Sequence, residues 1–213
     1  MKIIGVAGKI ASGKTTSAEI MYNLLKEKGC NVFRTSLSDI LRDVLYDNVN
    51  YANVKIDWPN KEWERKNLIE FGKELKKRYH NSILVELAIK KAEHYNAGVL
   101  IIDGVRTYDE ANFVRNNGGI LIYIDAMDVI RFKRVKERNS EKDKNIKTLR
   151  DFRKMDSTEE KLYKVGRLQA LANIVIINEG SLDCLKHTIE KIVSRLDKFE
   201  GNEDPQTTHL FVC

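Results

Sequence analysis

The chain has 213 residues, 42% of them hydrophobic and 32% charged, enough apolar material for one core and too little length for two domains of ordinary size. Lys and Arg number 37 against 31 Asp and Glu, a net charge of +6, which suits a polyanionic ligand without requiring nucleic acid. Two prolines and 12 glycines exclude a collagenous or low-complexity chain. No apolar run approaches the roughly 18 residues that span a bilayer, and the opening MKIIGVAG is too short and glycine-interrupted for a signal-peptide core. Cys30, Cys184 and Cys213 are odd in number, far apart and without C-x-x-C spacing, so neither a disulfide framework nor a zinc site is expected, and a reducing cytoplasm is the expected compartment.

Lys2 to Ala7 (KIIGVA) reads as a strand that stops at a glycine-bearing turn. Thr16 to Lys28 follows with Ala18, Ile20, Met21, Leu24 and Leu25 on one helical face, and Gly29 supplies the stop. A second strand is expected near Asn31 to Thr35. A helix then starts at Ser38, read as its capping residue, with Ile40, Leu41, Val44 and Leu45 at helical spacing. Between Asn48 and Lys61 the periodicity fades, and it resumes through LIEFGKELKKRYHNSILVELAIKKAEHY.

Val99 to Asp103 (VLIID) and Ile120 to Asp125 (ILIYID) are nearly all-apolar runs ending in aspartate, as central parallel strands require. Asp109 to Arg115 reads as the crossover helix between them. A charged helix from Val129 to about Glu141 leads into SEKDKNIKTLRDFRKMDSTEE, which shows almost no apolar stripe and is expected to be a mobile flap. A shorter helix, a strand at Ile174 to Ile177 and a helix from Ser181 to Lys198 follow. The tail from Gly201 to Cys213 is expected to fray or dock weakly. This alternation predicts an α/β fold of three layers, a parallel sheet with helices on both faces, with ligands at the C-terminal edge of the strands.

Gly8-Lys9-Ile10-Ala11-Ser12-Gly13-Lys14-Thr15 matches G-x-x-x-x-G-K-[ST] between a strand and a helix. Glycines at 8 and 13 let the backbone curl so that its N–H groups point inward, beside the positive end of the following helix. A di- or triphosphate is the natural guest, with Gly8, Ala11, Ser12, Gly13, Lys14, Thr15 and Thr16 as the candidate binding set. Lys14 can reach the β- and γ-phosphates, and the Thr15 hydroxyl can bind the magnesium that bridges them. Asp103 emerges at the same sheet edge, where it can serve the metal or accept a proton; the bland reading is a turn aspartate in IDGVR. Arg106 can clamp an acceptor phosphate or form a surface ion pair.

Arg131, Arg134 and Arg138 recur at i, i+3 and i+7, along one helical face. Such a row can neutralise a transferring phosphoryl group, or it is a solvated face. Arg150 and Arg153 in the adjoining flap favour the first, because a kinase must exclude water from its site. Asp39 and Arg42, beyond the second strand, are acceptor-site candidates, with a plain capping role as the alternative for Asp39. His80, His94, His187 and His209 lack metal or triad spacing and read as surface or packing residues. Trp58 and Trp63 flank Pro59 and fit a small satellite core better than a base-stacking platform.

With these residues in place, positions 1 to about 197 resemble the nucleoside monophosphate kinase branch of P-loop NTPases, including dephospho-CoA kinases and phage-type deoxynucleoside monophosphate kinases. GVAGKIASGKTT is similar to the branch's phosphate loop, IIDGVRTYDEANFVRNNGG to its acidic strand and following helix, RFKRVKER to its lid-entry helix, and NIVIINEGSLDCLKHTIEKI to the closing strand and helix of several members. RTSLSDILRDVL lacks the Asp-Ala-Asp pattern of ordinary dephospho-CoA kinases and is closer to the phage-type enzymes. The resemblance implies one P-loop kinase domain over 1–200 with a tail at 201–213, ATP and Mg2+ at Gly8 to Thr15, a lid at 131–160 and a helical acceptor region at about 38–95. Lys14, Asp103, Arg134 and Arg138 are then the expected catalytic residues, Thr15 and Asp103 the metal site, and Asp39, Arg42 and Arg106 the acceptor contacts. The expected activity is γ-phosphoryl transfer to a small nucleotide-type acceptor, with no membrane or nucleic-acid partner. The alternative from another class is a P-loop ATPase or nucleotide switch regulating a protein or nucleic-acid partner.

Overall fold

Residues 1–46, 49–59, 65–138, 140, 143–196 and 209–213 are described by a computed structural model. Strands β1 (Lys2–Gly8), β2 (Val32–Ser36), β3 (Val99–Val105), β4 (Ile120–Asp125), β5 (Ile174–Ile177) and β6 (His209–Val212) form one sheet in the order β2-β3-β1-β4-β5-β6. Every adjacent pair is parallel. Successive side chains of a strand point to opposite faces, and the inner strands are apolar on both. Ile3, Leu100, Ile102 and Leu121 enter one core, while Ile4, Ile101, Ile120 and Ile122 enter the other.

The first core is closed by α2 (Leu37–Leu45), α3 (Arg65–Arg78), α4 (Ile83–His94), α5 (Tyr108–Asn116) and a 3-10 turn at Val165–Leu171. The second is closed by α1 (Lys14–Glu27) and α8 (Leu182–Val193), through Ala18, Met21 and Leu25 on one helix and Leu185, Ile189 and Ile192 on the other. Ile4, Ile101 and Ile122 are fully buried, each contributing roughly 1.5–3 kcal/mol of transfer free energy. The result is the three-layer α/β architecture that the alternating pattern predicts.

Several local expectations are corrected. The cap of α2 is Ser36 rather than Ser38: Asp39 N donates to Ser36 Oγ (3.1 Å) and Ser36 N to Asp39 Oδ2 (3.3 Å), a reciprocal capping box. Asp103 does not end its strand, which continues to Val105. The helical patterning expected before Val99 is present as two helices, α3 ending at Arg78 and α4 starting at Ile83.

The charged stretch expected as a flap without an apolar stripe contains α7 (Leu149–Tyr163), which has one. Leu149, Phe152 and Met155 recur every three residues and join Ile146, Val135 and Phe132 in a third small core that also takes in Ile10 and Ala11. Phe152 is fully buried there. This core seats α7 and α6 (Asp128–Arg138) against the loop after β1. The tail is also corrected: His209 to Val212 pair with Ile174 to Ile177 as β6. Trp58 packs on Phe71 with ring centroids 5.4 Å apart, and its indole N–H donates to Asn67 (2.8 Å). Trp63, the helix ends expected at Glu141 and Lys198, and the start of the tail at Gly201 lie outside the described residues.

Candidate functional site

The loop from Gly8 to Gly13 turns at the C-terminal edge of the sheet, between β1 and α1. Three of its residues have positive φ: Gly8 (142°), Ala11 (57°) and Gly13 (107°). The two glycines are required sterically as well as conformationally. A Cβ on Gly8 would collide with the Ile124 carbonyl oxygen, and one on Gly13 with the Asn178 side-chain amide. Gly13 caps α1 without a side-chain hydrogen bond, and no acidic residue occupies the first turn. The leading N–H groups of α1 therefore keep their capacity for an anion.

Lys14 Nζ folds back to donate to the Lys9 carbonyl (2.6 Å). Burial pushes its ammonium down from 10.5 to about 8, against the pull of the Asp103 carboxylate, with Arg106 adding to the depression. Thr15 Oγ1 donates to Asp103 Oδ2 (2.7 Å), so strand β3 delivers its carboxylate to the start of α1. Register explains the meeting: Val6 of β1 pairs with Asp103. Thr16 is exposed at the cleft wall, while Ser12 is wholly buried behind the loop.

Ser12 anchors the loop through its carbonyl, which accepts from Asn178 Nδ2 (2.8 Å) and Arg134 Nη1 (3.2 Å). Asn178 is buried just after β5 and its own carbonyl accepts from Arg134 Nη2 (2.9 Å). The sequence reading missed this residue. Its signal is visible in retrospect: IVII is another apolar run followed by a polar residue at the C-terminal sheet edge, as VLIID is.

The three arginines of α6 have three different environments. Arg131 is buried and forms a bidentate pair with Asp156 of α7 (2.7 Å on each nitrogen), with Phe152 beneath its guanidinium. Arg138 forms a second bidentate pair, with Asp143 (2.5 and 2.9 Å). Arg134 bonds the Ser12 and Asn178 carbonyls immediately behind the phosphate loop, with the Glu137 and Glu179 carboxylates nearby. Arg153 bonds Asp128 and is exposed.

On the other side of the loop, Asp39 and Arg42 pair with each other (2.8 Å), both about half exposed. Asp39 thus serves the helix cap while also lining the cleft. Arg106 lies over the Tyr163 ring at 5.7 Å. Its neighbour Glu110 is buried, bonds the Arg106 and Thr107 N–H groups, and accepts from Lys76 of α3 (2.7 Å). One cleft of about 2340 Å³ runs from Gly8, Lys14, Thr15, Thr16 and Asp103 to Asp39, Arg42, Arg106, Arg134 and Arg138.

An α/β sheet of this order with a G-x-x-x-x-G-K-T loop after its β1 defines a P-loop NTPase with a kinase-like fold. Residues 4–161 match the AAA domain family, and the chain belongs to that family. A UPF0200 protein from Sulfurisphaera tokodaii is 28% identical over 197 residues, covering 92% of this chain and 98% of that protein. A UPF0200 protein from Methanocaldococcus jannaschii is 26% identical over 210 residues, covering 94% and 95% respectively. Among solved structures, shikimate kinase from Bacteroides thetaiotaomicron superposes with a TM-score of 0.54 at 17% identity, over 92% of this chain and 97% of that one. Shikimate kinase from Aquifex aeolicus gives 0.50 at 16% identity, over 92% and 96%. These structures share the fold with this chain. Among the described residues no helix is long and apolar enough to cross a membrane.

Proposed function

We propose that the protein transfers the γ-phosphoryl group of Mg-ATP to a small nucleotide-type acceptor: a nucleoside or deoxynucleoside monophosphate, or dephospho-CoA. The observation that carries this reading is the single cleft of about 2340 Å³ that runs from the phosphate loop to α2, α3 and the start of α5. A site for one small ligand holds roughly 300–1000 Å³, so this cleft has room for a donor and an acceptor side by side.

In this reading the leading N–H groups of α1 and the loop backbone hold the donor phosphates. Lys14 leaves the Lys9 carbonyl for the β- and γ-oxygens, whose charge restores its proton. Thr15 and Asp103 form a pair of hard oxygen donors that suits magnesium, with its other positions left to phosphate oxygens and water. Magnesium held by Thr15 and Asp103 would supply charge that offsets what develops on the transferring phosphoryl group. Asp103 can take the proton of a hydroxyl acceptor; a monophosphate oxygen needs no such base.

Arg134 stands beside the loop, bonded to its carbonyl partners, so its charge adds to the potential at the transferring group. Arg138 must exchange Asp143 for a phosphate, which calls for movement of the 131–160 region as a lid. Arg42 and Arg106, across the loop from that lid, are the acceptor contacts, and Asp39 positions Arg42.

The test is ADP formation from Mg-ATP against a panel of ribo- and deoxynucleoside monophosphates and dephospho-CoA, with Lys14→Ala as control. Stimulation by one acceptor, lost in the variant, is the expected result. Slow hydrolysis that no acceptor changes would favour a nucleotide switch instead.

A further inference from the structure

Two of the three cysteines, Cys184 and Cys213, lie close together in the fold. Cys184 lies in the first turn of α8, where its N–H donates to the capping Ser181 Oγ (3.2 Å). Cys213 follows β6; its N–H donates to the Ile177 carbonyl (2.8 Å) and its carbonyl accepts from Glu179 N (3.2 Å). These bonds hold Cys213 over the start of α8. Its Sγ–H donates to Thr188 Oγ1 (3.2 Å), and Thr188 is one turn beyond Cys184 on the same helical face. The Cys184 side chain is near enough to push the Cys213 thiol's pKa up. Gly180 fills the remaining gap: a Cβ there would sit 2.8 Å from the Cys213 carbonyl carbon and 3.5 Å from Cys184 Cβ. Both cysteines are half-buried, so reagents can reach them.

We propose that Cys184 and Cys213 are a reversible dithiol–disulfide pair that staples the end of β6 to the first turn of α8, beside the loop between β5 and α8. The pairing matters because this loop is part of the cleft wall: Gly180, Ser181 and Leu182 line the cleft, and Asn178 anchors the phosphate loop. The pair is independent of the proposed reaction; it would operate on the same loop whatever the cleft binds. It was hidden in the sequence because 28 residues separate the two positions.

The chemistry is thiol–disulfide exchange with a small external disulfide such as oxidised glutathione. Burial pushes the Cys213 thiol up, so the first attack falls to Cys184. Its thiolate forms a bond to one sulfur of the reagent, the reagent's S–S bond breaks, and one small thiolate departs. Cys213, losing its proton to solvent, then attacks the Cys184 sulfur, forming the internal S–S bond and expelling the second small thiolate. Two protein thiols are oxidised and one disulfide is reduced to two thiols.

The full chain, reduced and freed of reductant, is incubated with oxidised glutathione and examined by intact mass, peptide mapping and thermal unfolding. The expected result is a mass loss of about 2 Da, a peptide joining Cys184 to Cys213, and full reversal by dithiothreitol. Closing a loop of this length raises Tm by about 5 °C or more. Cys30→Ser keeps all three outcomes, because Cys30 precedes β2 at the opposite edge of the strands. Cys184→Ser and Cys213→Ser each abolish the linked peptide. A glutathione adduct that persists on Cys184 beside an intact Cys213, or a linked peptide containing Cys30, overturns the proposal. So does unreacted protein under conditions that oxidise a solvent-exposed dithiol peptide.

Discussion

Lys14 links phosphate binding at the site to a proton. Burial lowers its folded pKa to about 8 from 10.5, so near pH 8 about half of the unliganded protein lacks the Lys14 charge. A bound triphosphate favours the charged form and raises the pKa, so binding takes up a proton. If the bound value rises above about 10.5, uptake is about 0.1 proton at pH 7, about 0.5 at pH 8 and about 0.9 at pH 9. Affinity for the nucleotide then falls about tenfold from pH 7 to pH 9, or about 1.4 kcal/mol. The sign for folding is opposite: the cost of burying the charged amine is present below about pH 8 and is relieved as pH rises toward 10.5, so the unliganded protein gains stability across that window. Calorimetric titration with Mg-ATP in buffers of different ionisation enthalpy measures the uptake directly. Lys14→Arg, charged throughout, should bind without uptake and with a flat profile. PH-independent affinity in the natural protein, with no proton uptake, would refute the reasoning.

Gly13→Ala forces an L side chain into φ of 107° and drives a methyl into Asn178; nucleotide affinity should drop at least about tenfold, a cost of ~1–3 kcal/mol for the strain and the disturbed Asn178–Ser12 bond, and calorimetry showing natural affinity would contradict it. Asp103→Asn should raise the Mg2+ concentration for half-maximal activity about 10-fold or more while metal-free nucleotide binding changes little, as a magnesium titration of initial rates will show. Phe152→Ala empties the small core under α7 at a cost of about 3–5 kcal/mol; hydrogen exchange should speed in α7 while β1 and β3 amides remain protected.

The sheet was legible because buried parallel strands carry apolar residues on both faces, which leaves KIIGVA, VLIID and ILIYID conspicuous among charged neighbours. The phosphate loop was legible because its glycines are dictated by positive φ and by collisions, with the Ile124 carbonyl at Gly8 and the Asn178 side chain at Gly13. The anchoring of α7 was harder to see: Leu149, Phe152 and Met155 are few, and their partners Val135 and Ile10 are distant in sequence. Ser36 and Ser38 are both plausible caps in TSLSD, and only the position of Asp39 three residues after Ser36 separates them. The α6 arginines share one helical face, as expected, yet Asp156 and Asp143 neutralise two of them through contacts that periodicity does not encode. β6 is a four-residue strand whose Leu210 and Val212 stay exposed, so it lacked the continuous apolar signature of the inner strands.

The most direct test of phosphoryl transfer follows the label from γ-labelled ATP in the presence of each nucleoside monophosphate and of dephospho-CoA, separating acceptor product from inorganic phosphate. Label carried by one acceptor, with little in inorganic phosphate and none transferred by Lys14→Ala, is the predicted result. Label released only as inorganic phosphate, at a rate no acceptor alters, would contradict the kinase account.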